Sequence, residues 1–185
     1  MIILAIDQSL TSTGYAVLDY KEDGSEMREG NERYTYRTWG RITTKKTDLG
    51  RTEDRINKIV GELAKIASKF EPDWIVIERP IMRRGVKTAQ DLAGLYYVIS
   101  CKLMRMGFSV TTVVNTTWKK GVGIEGKDSR EQKESSKKRA YELLKQKVEE
   151  EKWIKLFNSD DETDAVCMAW YWAKWVENEG GEWNG

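Results

Sequence analysis

Residues Ile2 to Ile6 are five consecutive apolar positions, three of them β-branched, and the run stops at a single acid, Asp7. A strand with one wet face alternates apolar and polar residues. This one does not, so it is expected in the middle of a sheet with both faces covered. A second short run, Trp74-Ile75-Val76-Ile77, ends in the same manner at Glu78.

The remaining segments supply a sheet and its helices. After a small polar turn at Gln8 to Thr13, Gly14 to Leu18 reads as a strand returning beside the first, and Arg33 to Ile42 as a third. Asp48 to Lys69 sets Ile56, Ile59, Val60, Leu63, Ile66 and Ala67 at helical steps and is ended by Pro72. A second amphipathic helix carries Leu92, Leu95, Ile99, Leu103 and Met106 as far as Gly107, and Phe108 to Val114 reads as a fifth strand. Residues 115–136 hold three glycines and no clear period, and read as a mobile or functional loop. A helix from about Ser135 to Glu151 would bury Ala140, Leu143, Leu144 and Val148, and a final helix begins at the acidic cluster after Trp153 to Phe157. The expected fold class is α/β: a five-stranded mixed sheet, an antiparallel meander of three strands continued by parallel strands through right-handed crossovers, flanked by helices. Residues 1–177 are read as one domain and 178–185 as a flexible tail.

Composition narrows the chemistry. The chain has no histidine, which excludes His-based acid/base catalysis, Ser-His triads and the usual zinc sites. Its two cysteines, Cys101 and Cys167, fall in apolar helical patterns and read as small core residues. No run approaches the roughly 20 apolar residues that span a bilayer, and the opening residues lack the basic flank and cleavage site of a signal peptide, so a cytoplasmic protein is expected. Net charge is only +1. The distribution is uneven: Arg79, Arg83, Arg84 and Lys87 have no acid among them, and from Trp118 to Arg139 eight cations face four acids. Such patches can form local anion-binding surfaces.

Residues at the carboxyl ends of neighbouring parallel strands converge outside the sheet edge, and Asp7 and Glu78 are both placed there. Asp161 and Asp164, three apart at the first turn of the final helix, project from one face. Four anions together repel, and divalent cations would remove the conflict. Carboxylate oxygens suit magnesium or manganese, and a pair of such ions supports in-line phosphodiester hydrolysis. Acids at a helix start also have a plainer use, as caps that complement the dipole. Asp161 and Asp164 are read here as metal-facing, with Asp160 or Glu162 left for capping.

In order along the chain, Ile3-Leu4-Ala5-Ile6-Asp7, Thr13-Gly14-Tyr15-Ala16-Val17, Ile75-Val76-Ile77-Glu78 and Asp161-Glu162-Thr163-Asp164-Ala165 resemble the RuvC family of Holliday-junction resolvases, phage-type members included. The resemblance implies an RNase H-like fold and a homodimeric endodeoxyribonuclease that binds two Mg2+ (or Mn2+) ions per active site. It would cut four-way or other branched DNA junctions in the cytoplasm of a bacterium or phage-infected host, with no membrane partner. By motif match Asp7, Glu78, Asp161 and Asp164 are the metal-binding catalytic acids, with Asp160 the nearest competitor to Asp161. Departures are visible. Gln8-Ser9 stands where the family commonly has Pro-Gly, and Arg79-Pro80-Ile81 follows an acid that the family often follows with Gln, a hydrophobe and an aromatic wedge.

On this reading Ile81 is an apolar wedge at a base step. Arg83, Arg84 and Lys87 contact phosphates beside the site, as do Lys119 and Lys120 of the segment Trp118-Lys119-Lys120-Gly121-Val122-Gly123, which resembles the family's basic segment. A lysine of the active site corresponds to Lys127, Lys133 or Lys137. Two other readings compete. Ala5-Ile6-Asp7-Gln8-Ser9-Leu10-Thr11-Ser12 also resembles the first phosphate motif of actin-like sugar kinases, although the chain has no room for their second domain. The other is a catalytically silent junction-binding protein of the same fold.

Overall fold

The computed structural model describes residues 1–21, 33–45, 47, 50–80, 85–144 and 157–179. Five strands form one sheet: β1 (Ile2–Asp7), β2 (Ser12–Tyr20), β3 (Tyr34–Thr43), β4 (Trp74–Glu78) and β5 (Val110–Val113), in the order β3-β2-β1-β4-β5. The first three pair antiparallel, and β4 and β5 run parallel to β1. Helix α1 (Thr52–Phe70) joins β3 to β4, and α2 (Val86–Arg105) joins β4 to β5, the crossovers that parallel neighbours require. Three more helices follow: α3 (Asn115–Gly121), α4 (Ser129–Leu144) and α5 (Asp160–Glu179). The mixed sheet read from the sequence is the sheet observed.

Pleating explains why β1 has no polar residue before Asp7. Ile3 and Ala5 enter one core cluster, Leu4 and Ile6 the other, and all four are fully buried. On β4, Val76 joins the first cluster while Ile75 and Ile77 join the second. Covering the second side are α1, through Ile59 and Leu63, and α2, through Leu95 and Ile99. Each such side chain contributes roughly 1.5–3 kcal/mol by leaving water. The first side is covered by α3, α4 and α5, with Trp118, Ala140, Leu144, Met168 and Trp172 at its centre.

Residues Ala165 to Ala169 are buried on every face because α5 lies between the sheet, α4 and α3. Its aromatic residues serve packing: Trp172 stacks on Trp175 at 4.8 Å and meets Trp74 at 5.6 Å, and the Arg139 guanidinium covers Trp170 at 5.0 Å.

Three expectations need correction. Residues 115–136 are largely helical, with α3 starting at Asn115 and α4 at Ser129. The signal for α4 was an Asp-x-x-Glu box. Asp128 Oδ1 accepts from the Arg130 and Glu131 N–H groups at 2.8 and 2.9 Å, and Glu131 Oε2 accepts from the Lys127 N–H at 2.8 Å. Second, Cys101 is exposed and only Cys167 is buried. Cys101 shares the outer face of α2 with Tyr97 and Met104, themselves 64% and 52% exposed. Third, α5 continues through Asn178 and Glu179, where the tail was expected to begin. Val148 and Trp153, read as part of a longer α4 and its exit, lie outside the described residues, as does the remaining tail.

Candidate active site

Strand parity decides where the acids point. Asp7 has the parity of Ile3 and Ala5, and Glu78 that of Val76, so both leave the carboxyl edge of adjacent parallel strands on the side covered by α5. Opposite Asp7 on β2 is Gly14. A Cβ there would stand 1.9 Å from the Asp161 carbonyl oxygen, so the missing side chain lets α5 set its first turn directly on the β2 backbone. That contact brings Asp161 and Asp164 to the strand acids.

Neither of those two acids is used as a cap. Ser159 Oγ accepts from the Glu162 N–H at 3.4 Å, and the buried Glu162 carboxylate accepts from the Asn158 N–H at 2.7 Å, with Arg41 3.7 Å from its other oxygen. This Ser-x-x-Glu box satisfies the helix start. Asp160 turns to Lys133 Nζ at 2.7 Å.

Asp7, Glu78, Asp160, Asp161 and Asp164 line one cavity of about 650 Å³, into which Lys119 and Lys133 also open. Burial raises the Asp7 carboxyl well above the ordinary carboxylate range, with repulsion from Glu78, Asp164 and Asp161 adding to it and Lys119 opposing it. The Asp7 carboxylate accepts no hydrogen bond among the described residues. Glu78 is also raised, chiefly by burial, against the pull of its donors: Asn115 Nδ2 gives to Oε1 and Oε2 at 3.0 and 2.9 Å, and Trp118 Nε1 to Oε2 at 2.9 Å. Asp164 is raised by burial although Lys119 Nζ lies 3.4 Å away and Ser136 Oγ donates to it. In Asp161 burial is again the main cause, joined by repulsion from Asp164 and Asp160.

Among the described residues no three acids are gathered tightly enough to enclose one cation as the side chains stand. As the side chains stand, Glu78 accepts hydrogen bonds from Asn115 and Trp118, and Asp164 accepts from Ser136 with Lys119 beside it. The donor set nevertheless fits a hard divalent cation. It offers four carboxylates, none ion-paired with an arginine among the described residues and each held above its ordinary pKa, which is the repulsion that such an ion relieves. Cys167 does not compete for it, since burial pushes its thiol up and it packs behind Asp164.

The four acids and Lys119 named from the sequence therefore share the cavity. Lys120 lines an adjoining groove with Asn115, Lys119 and Gln132. Lys87, Lys127 and Lys137 are exposed and do not line the cavity. Ile81, Arg83 and Arg84 lie outside the described residues. Of the three lysines considered for the site only Lys133 reaches it, from α4. Sequence reasoning missed Asn115, Trp118, Ser136 and Gly14. Only the spacing of Asn115 and Trp118, three apart on one helical face, hinted at a shared target. In place of the family's Pro-Gly, Gln8 Nε2 donates to the Glu78 carbonyl oxygen at 3.1 Å and ties the two strand ends together.

Residues 3–153 match the family model described as "Crossover junction endodeoxyribonuclease RuvC", a stretch that contains Asp7 and Glu78 and stops before α5. The RuvC of Alkaliphilus oremlandii is 37% identical over 89 residues, 48% of each chain, so the match spans about half the length of that relative. In structure the chain is similar to Thermus thermophilus RuvC in complex with a Holliday junction, with a TM-score of 0.73, 15% identity and 98% of each chain covered. It is likewise similar to the Fowlpox virus resolvase complexed with Holliday junction DNA, with a TM-score of 0.64, 14% identity, and 95% and 99% of the two chains covered. At these identities the likeness shows the fold, which takes in α5. With the family model spanning most of its length, the chain belongs to the RuvC family of crossover junction endodeoxyribonucleases.

Proposed function

We propose that the chain is a divalent-cation-dependent endodeoxyribonuclease that resolves four-way DNA junctions. The observation that carries this reading is Asp7: a half-buried acid whose carboxylate meets no hydrogen-bond donor among the described residues, facing three more acids, on the frame of this nuclease family. Asp7, Glu78, Asp161 and Asp164 would hold magnesium or manganese, two ions for four carboxylates. Cations bound there supply an acidified water and neutralise the charge that builds on the scissile phosphodiester. Lys119 and Lys133 bring positive charge to the two sides of the acid cluster, through Asp164 and Asp160. In that place they can meet the non-bridging oxygens of a phosphate once cations release the acids they now contact. Lys120 in the adjoining groove, and Lys87, Lys127 and Lys137 on the surface, would contact the backbone of the arms. Ile81, Arg83 and Arg84 are proposed to meet DNA where β4 ends.

Symmetric cutting calls for two equivalent sites, which a two-fold homodimer provides. Tyr97, Cys101 and Met104, on the outer face of α2, form the exposed apolar stripe that a second copy would cover. Among the described residues no helix is long and apolar enough to cross a membrane. Action on DNA places the enzyme in the cytoplasm of a bacterium or phage-infected host.

Labelled four-way junction, flap, duplex and RNA–DNA hybrid should be offered to the wild type and to Asp7→Asn, with Mg2+, Mn2+ or chelator. The junction should be cut in symmetric strands only when cation is present. Asp7→Asn should lose about 10³-fold or more, the several kcal/mol such ions contribute. Cutting that survives both chelator and Asp7→Asn would sink the proposal. Junction binding without cutting at any cation would instead identify the silent binder, and nucleotide hydrolysis without cutting the phosphotransferase.

A further inference from the structure

Glu78 is held in a way none of the other three acids is. β5 pairs with β4 with Val113 opposite Glu78, and the chain turns into α3 two residues later. The first turn of α3 therefore stands over the Glu78 carboxylate. Asn115 and Trp118, three apart and so on one face of the helix, both donate to it, while Lys119 on the next position reaches Asp164. Trp118 is fully buried, and its N–H needs a partner somewhere. Asn115 is only half-buried, so water could satisfy its amide, yet that amide spans both carboxylate oxygens.

A carboxylate offers about four lone-pair sites, two on each oxygen. Oε2 accepts from both Asn115 and Trp118, so both its sites are taken, whereas Oε1 accepts from Asn115 alone. We infer that Asn115 and Trp118 are positioning residues that fix the Glu78 carboxylate so that it takes up a divalent cation through Oε1 only. This rests on the proposed function above, because it assumes that the acids hold cations. It assigns to α3, which supplies no acid, the job of setting how one of them ligates.

The test is Mn2+ binding to the full chain without DNA, by calorimetry or by the loss of the free-ion EPR signal. Asn115→Leu keeps the shape of the side chain and removes its donor, and Trp118→Phe removes the indole N–H together with the five-membered ring that carries it. Each should weaken Mn2+ binding by about 10-fold or more, the usual cost of losing a hydrogen bond to a metal ligand. Thr116→Ala and Thr117→Ala, at exposed positions of the same helix, should leave it unchanged. In the wild type the indole 15N–1H resonance of Trp118 should shift on adding Mg2+ and saturate with the binding curve, a signature that a purely structural tryptophan would not give. Folded Asn115→Leu and Trp118→Phe with wild-type affinity would overturn the inference. If either variant does not fold, a Trp118 resonance indifferent to saturating Mg2+ overturns it, and one that follows the binding curve upholds it. The two readings fail differently. A wild type that binds no Mn2+ and cuts no junction overturns both, while one that binds and cuts beside equally competent variants overturns the inference alone.

Discussion

The Asp7 carboxylate faces three others and, among the described residues, accepts no hydrogen bond. An acid whose folded-state pKa is raised keeps its proton in the folded chain at pH values where the unfolded chain has released it. Without cations, stability is thus greatest near the ordinary carboxylate range and falls as pH rises through the raised values of Asp7, Glu78, Asp161 and Asp164. Lys119 softens this by its charge, and a divalent cation reverses it by binding the ionised form. Glu177 acts with the opposite sign. Lys174, with Tyr34 and Arg33, holds it down to about 2, so its contribution is lost only as pH falls towards that value. Asp7→Asn should therefore raise the Tm of the cation-free chain at neutral pH, flatten its decline with pH, and remove most of the gain on adding Mg2+. Each pKa unit of relief is worth about 1.4 kcal/mol, or ~3 °C for a chain of this size. Melting curves between about pH 5 and about pH 8, with chelator and with Mg2+, check this. A cation-free wild type whose Tm climbs across that range would show that the acids are not in conflict.

The elements that carry the site were legible to different degrees. β1 and β4 announced themselves by apolar runs that end at acids, and parity along each strand then fixes both acids on the α5 side. α3 was not legible: seven residues are too few to show a period, and its role is set by β5, which delivers it over Glu78. The start of α4 was written in Asp128 and Glu131, and that of α5 in Ser159 and Glu162, a capping box that shares its run with Asp161 and Asp164. Least legible was the approach of α5 to β2, because a glycine within a strand says that something comes close without saying what. Gly14→Ala tests that approach. With 1.9 Å to the Asp161 carbonyl oxygen, the new methyl must push the first turn of α5 away from Asp7. Overpacking of this kind costs about 1–3 kcal/mol, and an error of an ångström at the acids costs about 10²-fold in rate. Gly61→Ala on α1, where nothing lies within 4 Å, should instead stabilise by about 0.5–1 kcal/mol with cleavage intact. Equal cleavage by the two variants would mean that the α5 contact does not set the site.

A molecule of net charge +1 has no overall field with which to draw in a polyanion. Locally the balance is worse, since the cavity gathers five acids against Lys119, Lys133 and Arg79. A phosphodiester approaching the cation-free site meets repulsion, and the cations needed for hydrolysis also turn the cavity into an attractive surface. Junction binding should therefore be weak in chelator and strengthen with Ca2+ or Mg2+. Asp7→Asn combined with Asp164→Asn should bind junction in chelator more tightly than the wild type does, while cutting nothing. The surface lysines act separately. Each phosphate contact contributes about 0.9 to the slope of log affinity against log salt, so Lys87→Ala with Lys120→Ala should flatten that slope by up to about 2 without altering its response to cations. Binding assays across salt concentrations, with and without Ca2+, separate the two contributions. If affinity in chelator already equals that with Ca2+, and neutralising the two aspartates adds nothing, the DNA does not reach the acids on binding. The junction would then be held by the basic surface alone, and its entry into the cavity would be a later step.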